Sequence, residues 1–352
     1  MINLAIIGTG TIAKAHIEAC LTFPNLCHLT ALINRTRQKA RDYIRTYELT
    51  DTAVYASLDQ AIEDQARLGK RIDAVAICLP AELHASAAID AMEKGCHVLV
   101  EKPMANSSAD CQTMIDASVR TQKMLSVAFQ YRYTRENRLL HDVIKSGEFG
   151  QVRHAVIDSC WWRGNNYYNT PWRGKWETEH GGVFLGHAIH QIDLLLWILG
   201  KPTSVLASMR NVAHPTSELE DLGCAILNYP TGLVILNASL VEHGQKVAMS
   251  FQLDRAKVSS PWDPQAYRED ETGFPQIDQA VIQRLNAIRE SAGRKSALEA
   301  EDWRYEHHKG LYYHFLRAVN GLEDLQITGE DGKAAIELVE EIYKEAKKVP
   351  IL

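Results

Sequence analysis

His187, His190 and Asp193 follow one another at three-residue spacing, just after Gly181-Gly182. Side chains three apart on a helix share a broad face, and imidazole is the side chain best matched to proton transfer near neutral pH. The glycine pair lets backbone approach a neighbour closely. Three readings fit the stretch. It can carry an acid/base pair, it can be a metal set of two histidines and a carboxylate, or its histidines can be hydrogen-bonded packing residues.

A second group of residues opens the chain. Leu4-Ala-Ile-Ile7 is a short buried strand, then Gly8-Thr9-Gly10-Thr11-Ile12-Ala13 leads into a helical stretch from Lys14 to Phe23. In this G-x-G-x-x-G/A pattern Gly8 permits a tight turn, Gly10 lets backbone approach a pyrophosphate, and Ala13 is small enough for helix–strand packing. The helix start offers N–H groups to phosphates. The second strand, Leu29 to Ile33, ends at Asn34-Arg35-Thr36-Arg37. An NAD-specific site usually places a carboxylate there for the ribose 2′-hydroxyl. Asn34 brings no charge to repel a 2′-phosphate, and Arg35 and Thr36 can donate to one. This favours NADP(H), with NAD(H) left open; the arginines can also simply begin a solvated helix. A third piece is Glu101-Lys102-Pro103 at the end of the strand Cys96 to Val100. Ligands of open α/β sheets lie outside the carboxyl ends of the strands, so Lys102 stands where chemistry happens. A nicotinamide accounts for that chemistry without a metal, and one helix rarely supplies a facial ligand set alone; no metal is expected.

The rest of the chain must position these groups. At 352 residues it is long for one domain. A net charge of -6 and the lack of a basic run argue against nucleic acid. The opening residues run straight into a strand, so no signal peptide is expected, and no apolar run reaches the roughly 20 residues of a membrane span. Seven cysteines without CxxC pairing read as reduced core thiols of a cytoplasmic protein. Strands near 53–55, 72–80, 96–100 and 125–129 alternate with helices near 58–67, 81–94 and 109–121, which implies a parallel, doubly wound sheet. From Gln130 the pattern changes: a helix near 136–146 precedes strands near 152–160, 204–212, 223–229, 233–241 and 247–253, with a hairpin turn at Pro230-Thr-Gly232. These predict a mostly antiparallel sheet, with helices returning near 276–291, 305–320 and 332–347. The class is α/β plus α+β, divided as 1–129 and 130–352.

Four of the seven tryptophans fall between 161 and 176, among Arg163, Tyr167, Tyr168 and Arg173. Aromatic faces suit sugar rings and arginines suit carboxylate or phosphate groups. The same residues would equally serve a loop packing its own aromatics, or a subunit contact.

Taken in order, Gly8-x-Gly10-x-x-Ala13, Glu101-Lys102-Pro103, and Gly181-Gly182 with His190-x-x-Asp193 resemble the Gfo/Idh/MocA oxidoreductase family. The likeness extends over Ser146-Gly-Glu-Phe-Gly150, Glu220-Asp221 and Thr328-Gly-Glu-Asp-Gly332. It implies a Rossmann domain joined to an open-faced antiparallel sheet domain, a homodimer or homotetramer formed through that sheet, and hydride exchange between NAD(P) and a sugar or cyclitol carbon. By position Lys102 and His190 match the family's lysine and catalytic histidine, with His187 beside them, and Pro103 looks like its cis-proline. The glycine pair is expected to approach the nicotinamide. The expected cofactor contacts are Gly8, Thr9, Gly10, Thr11, Ile12, Ala13, Asn34, Arg35, Thr36, Leu79, Pro80, His84, Glu101, Lys102 and Gln130. The expected small-molecule carbohydrate contacts are Lys102, Arg132, Trp162, Arg163, Tyr168, Trp172, His187 and His190. One departure is Gly186, where many members carry Asp or Asn. It keeps open a second reading, an NAD-dependent glycosidase with transient redox and no net hydride change. A non-catalytic regulator is disfavoured, because Lys102 and His190 are both present.

Overall fold

The apolar runs of the first third become strands buried on both faces. They are β1 (Ile2–Ile7), β2 (Cys27–Ile33), β3 (Ala53–Tyr55), β4 (Ala74–Ile77), β5 (His97–Val100) and β6 (Leu125–Val127). The computed structural model, which describes residues 1–298 and 305–347, orders them β3-β2-β1-β4-β5-β6 with every pairing parallel. Parallel neighbours need crossovers, supplied by the helices Ala13–Leu21, Arg37–Thr46, Leu58–Arg67, His84–Glu93 and Ser108–Thr121. The direction of winding reverses between β1 and β4, the switch point at which this architecture places a dinucleotide.

The first unit does not end at residue 129. Residues 1–130 group with Tyr305–Ile336, whereas the sequence division assigned all of 130–352 to a second domain. The physical reason is packing. Helix His307–Val319 lies on helix Ala13–Leu21, Tyr305 stacks edge-on to Phe23 at 4.7 Å, and Ser126 Oγ donates to the Ile327 carbonyl at 2.8 Å. A late helix whose apolar face matches an early one carries no local sign of its partner. Helix Gly329–Ala346 spans the division, its second half counting with the other unit.

The second unit is built on β7 (Val152–Trp162), β8 (Ser204–Arg210), β9 (Leu222–Tyr229), β10 (Gly232–Ser239), β11 (Val241–Leu253) and β12 (Lys257–Ser260), ordered β12-β11-β7-β10-β9-β8. Only β7 and β10 run parallel; the other neighbours are antiparallel. Pro230-Thr231 turns β9 into β10 as expected. Along β9, Gly223, Ala225 and Leu227 are buried while Leu222, Cys224 and Ile226 are exposed, so one sheet face is covered and one is open. Cys224 therefore departs from the core-thiol expectation, which the six other cysteines meet. A small hairpin, β13 (Tyr267–Glu269) with β14 (Pro275–Ile277), was not anticipated. Residues 176–199 have the length and hydropathy of a membrane span by composition, contrary to expectation, but the backbone breaks at His180 (φ 55°) and 67% of the apolar window is buried, which marks a core segment.

Candidate active site

The turn after β1 is shaped by contacts that only glycine tolerates. Gly8 has φ 92°, and a Cβ there would meet the Cys78 carbonyl oxygen at 2.5 Å. At Gly10 a Cβ would meet nothing within 4 Å, so the backbone presents an open side. Helices Leu58–Arg67 and Ser108–Thr121 are capped by Ser57 and Ser107, but Ile12 leaves the start of helix Ala13–Leu21 without a side-chain cap. The Ala13 and Ala15 N–H groups bond back to the Gly10 and Ile12 carbonyls at 3.2 and 3.0 Å, and no side chain covers the helix start, which leaves its positive end open to an anion. Tyr43, which the sequence reading missed, donates to the Gly10 carbonyl at 3.1 Å and fixes the turn from outside. Thr11 and Ile12 are exposed, whereas Thr9 is buried and accepts from the Asn34 amide. Asn34 Oδ1 in turn accepts from the Thr36 N–H at 3.0 Å. Asn34 is therefore spent on shaping the strand end, and Arg35 stands exposed beside it. Gln130 Oε1 is buried with no hydrogen-bond partner among the described residues. An open glycine side, an uncapped helix start and an orphaned amide oxygen fit a dinucleotide.

The strap Glu101-Lys102-Pro103 follows β5, with a cis peptide before Pro103. Lys102 is partly exposed, and its N–H donates to Glu101 Oε2 at 3.0 Å. Glu101 was expected to face the cofactor; its carboxylate instead points inward to His16 Nε2 at 2.9 Å and His308 Nε2 at 3.5 Å. His84, expected in the same role, is buried with Nδ1 and Nε2 each 2.8 Å from a carbonyl, of Pro103 and Leu79. Leu79 and Pro80 remain partly accessible at the end of β4. Nothing in local spacing marks His16, His308 or Tyr312, which complete this cluster.

In the second unit the expected helix through His187 starts differently. Residues Phe184–Ala188 form a π-helical turn and the α-helix proper is Ile189–Leu199. Such widened turns concentrate at functional sites. His190 is buried against the Tyr131 ring (centroids 4.5 Å apart), and His187 is half-buried, 5.9 Å from the Tyr167 ring. Asp193 is engaged by a cation. It is forked by Arg132, whose Nε and Nη2 lie 2.9 and 2.6 Å from its two oxygens. Arg132, expected on substrate, is buried and so must be paired, since an isolated buried charge is costly. It anchors the segment that carries Tyr131 to the helix that carries His190.

The glycine pair is approached by the chain itself. A Cβ on Gly181 would collide with the Tyr343 hydroxyl, and one on Gly182 with the Glu220 carbonyl. The Glu220 carboxylate accepts from the Gly182 N–H at 3.0 Å, the Phe184 N–H at 3.2 Å and the Tyr343 hydroxyl at 2.8 Å. Burial raises its pKa, and these donors only partly offset that. At Gly186 a Cβ would meet nothing within 4 Å, so the place where family members carry Asp or Asn is open space.

The aromatic stretch divides. Arg173 lies over Tyr167 and Trp172 at 4.0 and 4.4 Å, and Arg163 over Trp161 and Tyr167 at 5.5 and 5.4 Å. Tyr168 packs on His214, whose ring ties the Asp221 carboxylate (2.8 Å) to the Arg163 carbonyl (2.7 Å). Those residues hold the loop together by cation–π contacts and hydrogen bonds. Trp162 is 52% exposed, stacked on His243, and borders a cavity of about 230 Å³ with Arg163, Asn165 and His214.

Residues 2–129 match the Gfo/Idh/MocA oxidoreductase family's NAD-binding Rossmann fold, and residues 137–259 match the Gfo/Idh/MocA C-terminal domain. The chain is 28% identical over 215 residues to an uncharacterised protein of Saccharomyces cerevisiae, covering 60% of this chain and 59% of that one. It is 30% identical over 195 residues to an alpha-N-acetylgalactosaminidase of Shewanella oneidensis, covering 52% and 41% respectively. The matches thus span only about half the length of these curated relatives. Among solved structures, the WlbA dehydrogenase of Bordetella pertussis in complex with NADH and UDP-GlcNAcA matches with TM-score 0.79 and 23% identity, over 100% of this chain and 98% of that one. The aldose–aldose oxidoreductase of Caulobacter crescentus matches with TM-score 0.77 and 21% identity, over 99% and 98%. At these identities the likeness establishes the fold.

Proposed function

The chain belongs to the Gfo/Idh/MocA oxidoreductase family, and on that premise we propose that it exchanges hydride between a nicotinamide dinucleotide and a ring carbinol or ketone of a sugar or sugar derivative. The observation that carries this is the turn after β1: an open-sided Gly10 and a helix start without a side-chain cap, in a sheet whose β5 is followed by Lys102. When bound, the dinucleotide supplies the hydride chemistry. The chain's residues do the rest. His190, oriented by Tyr131, takes or supplies the hydroxyl proton. Lys102, as a cation, stabilises the charge that develops on the oxygen. Trp162 offers an exposed ring face to the sugar. Arg35 favours the cofactor with a 2′-phosphate. Sugar-directed names among the structural neighbours support the substrate class.

The same proposal includes a cytoplasmic setting and a homo-oligomer through the open sheet face. On that face Leu206 (60% exposed) pairs in register with Ile226, beside Leu222 and Leu233, an apolar patch suited to a second copy. A second reading, glycosidase chemistry with no net hydride change, is favoured by one feature, the open space at Gly186, together with the galactosaminidase among the relatives.

The test is cofactor absorbance against a panel of sugars, keto-sugars, cyclitols and glycosides, with NAD(H) and NADP(H) in parallel. Net change in reduced cofactor with a sugar or keto-sugar is the expected result; glycoside cleavage without it would establish the second reading instead. His190→Ala and Lys102→Ala should each lower kcat by about 10²- to 10⁴-fold while still binding cofactor. His187→Ala should lose less. Near-normal turnover in His190→Ala would overturn the assignment.

A further inference from the structure

We propose that His16, His308 and His84 are positioning residues for Lys102, holding the main chain on its two sides through the Glu101 carboxylate and the Pro103 carbonyl. The inference rests on the role given to Lys102 above, but its geometry lies wholly within the first unit.

On one side, Glu101 is only 6% exposed and its Oε2 accepts the Lys102 N–H at 3.0 Å. A buried carboxylate requires donors for its remaining lone pairs. His16 Nε2 stands 2.9 Å from Oε1 and His308 Nε2 3.5 Å. Since a carboxylate can only accept, His16 carries its hydrogen on Nε2, and its Nδ1 accepts from the Tyr312 hydroxyl at 2.9 Å. The run Tyr312–His16–Glu101–Lys102 is thereby satisfied with His16 neutral. Burial alone lowers the His16 pKa and would raise that of Glu101. The hydrogen bonds from His16 and His308 outweigh it for Glu101 and hold the carboxyl well below its usual range.

On the other side, His84 bridges the Pro103 and Leu79 carbonyls, at 2.8 Å each. The ring ties the strap to the end of β4, the strand next to β5. Burial lowers its pKa, against the opposing pull of the two carbonyls and of Glu101. His308 and Tyr312 come from helix His307–Val319, so the late segment that joins this unit reaches the strap directly. His16, Glu101 and His308 also have their ligand atoms within 4.8 Å of one another, as a metal set would. The hydrogen bonds already satisfy His16 and Glu101, and the structure assigns them to positioning.

The experiment needs no substrate, so it fails or succeeds apart from the catalytic reading. The folded protein is treated with an amine-acylating reagent, and labelling of Lys102 is followed by peptide mass spectrometry, with exposed Lys14 as the internal reference. Glu101→Gln, His84→Gln and His308→Gln should each change the Lys102 rate by about tenfold, the size of one strong hydrogen bond lost, and leave Lys14 unchanged. Once a substrate is in hand, the same variants should lower kcat more than they raise KM. If Glu101→Gln does not fold, His308→Gln at the rim of the cluster carries the test. An unaltered Lys102 rate in the folded variants would overturn the proposal, as would one equivalent of a divalent metal in the purified protein.

Discussion

Glycines serve opposite ends in the two units. At Gly10 the space a side chain would fill is empty, and the neighbouring helix start has no cap. At Gly181 and Gly182 that space is filled by Tyr343 and Glu220 of the chain itself. The two patterns look alike in sequence, since each is a glycine cluster ahead of a helix. The first leaves room for a partner; the second admits the protein's own carboxylate, which then caps the turn into the His190 helix. Close backbone approach was the inference at both places; at Gly181 and Gly182 the approaching groups are the chain's own, and at Gly10 the space stands open.

The sharpest way to break that contrast is to add one methyl group at each place. Gly182→Ala forces a Cβ into the Glu220 carbonyl and close to its carboxylate (Oε2 at 2.8 Å), and should cost about 3 kcal/mol, near the upper end for overpacking a buried site. A melting temperature lower by roughly 4 °C is the corresponding signal for a chain of this size. Gly10→Ala should leave the melting temperature almost unchanged and weaken NAD(P)H binding by about tenfold or more, read by cofactor fluorescence. Equal destabilisation by the two changes would erase the distinction.

The second way is to remove one donor from the carboxylate. Burial raises the Glu220 pKa, and the Tyr343 hydroxyl is first among the groups that pull it back down. A carboxyl whose folded pKa is raised binds more protons in the native state, so stability falls as pH rises from the unfolded value, near 4.5, through the folded one. Tyr343→Phe pushes the folded pKa higher still. Its cost should be about 1 to 2 kcal/mol at pH 8 and should shrink as pH falls toward the raised pKa. Denaturant midpoints at pH 5 and pH 8 measure this; a larger loss at pH 5 would give the wrong sign and sink the account.

What the sequence showed follows the same division. The parallel sheet, its order-setting turn and the β9–β10 hairpin were legible because their signals are local: apolar runs, Gly8, and Pro230-Thr231. The antiparallel sheet was legible from consecutive strands with few helices between them, and its open face only through the family resemblance. Contacts between distant segments were not. His308 gives no sign at position 308 that it meets Glu101, and Arg132 gives none that it belongs to Asp193 rather than to a substrate. The π-helical turn at Phe184–Ala188 was also hidden, because a helical periodicity of 3.6 and one slightly wider cannot be told apart over five residues. Of the aromatic stretch, composition announced ring faces and cations but not that Arg163 and Arg173 would stack on the loop's own rings.

The smallest expected effect tests the open end of the comparison, where the protein has left a charge uncommitted to its own fold. Arg132 is buried and committed to Asp193; Arg37 donates to Gln60 Oε1 at 3.1 Å; Arg35 stands exposed at the end of β2 next to an Asn34 already engaged with Thr9 and Thr36. A 2′-phosphate brought to that strand end would meet a guanidinium and no carboxylate, whereas a 2′-hydroxyl would gain little from the same group. One charge-assisted hydrogen bond made by an exposed arginine is worth about 1.4 kcal/mol, or tenfold in affinity. Arg35→Ala should therefore weaken NADPH binding by about tenfold and NADH binding by less than about threefold, with the gap closing as salt is added because the contact is exposed. Fluorescence titration of both cofactors at two ionic strengths decides it. Equal losses would mean that Arg35 only begins the helix Arg37–Thr46, and a wild type that binds NADH alone would remove the 2′-phosphate from the account altogether.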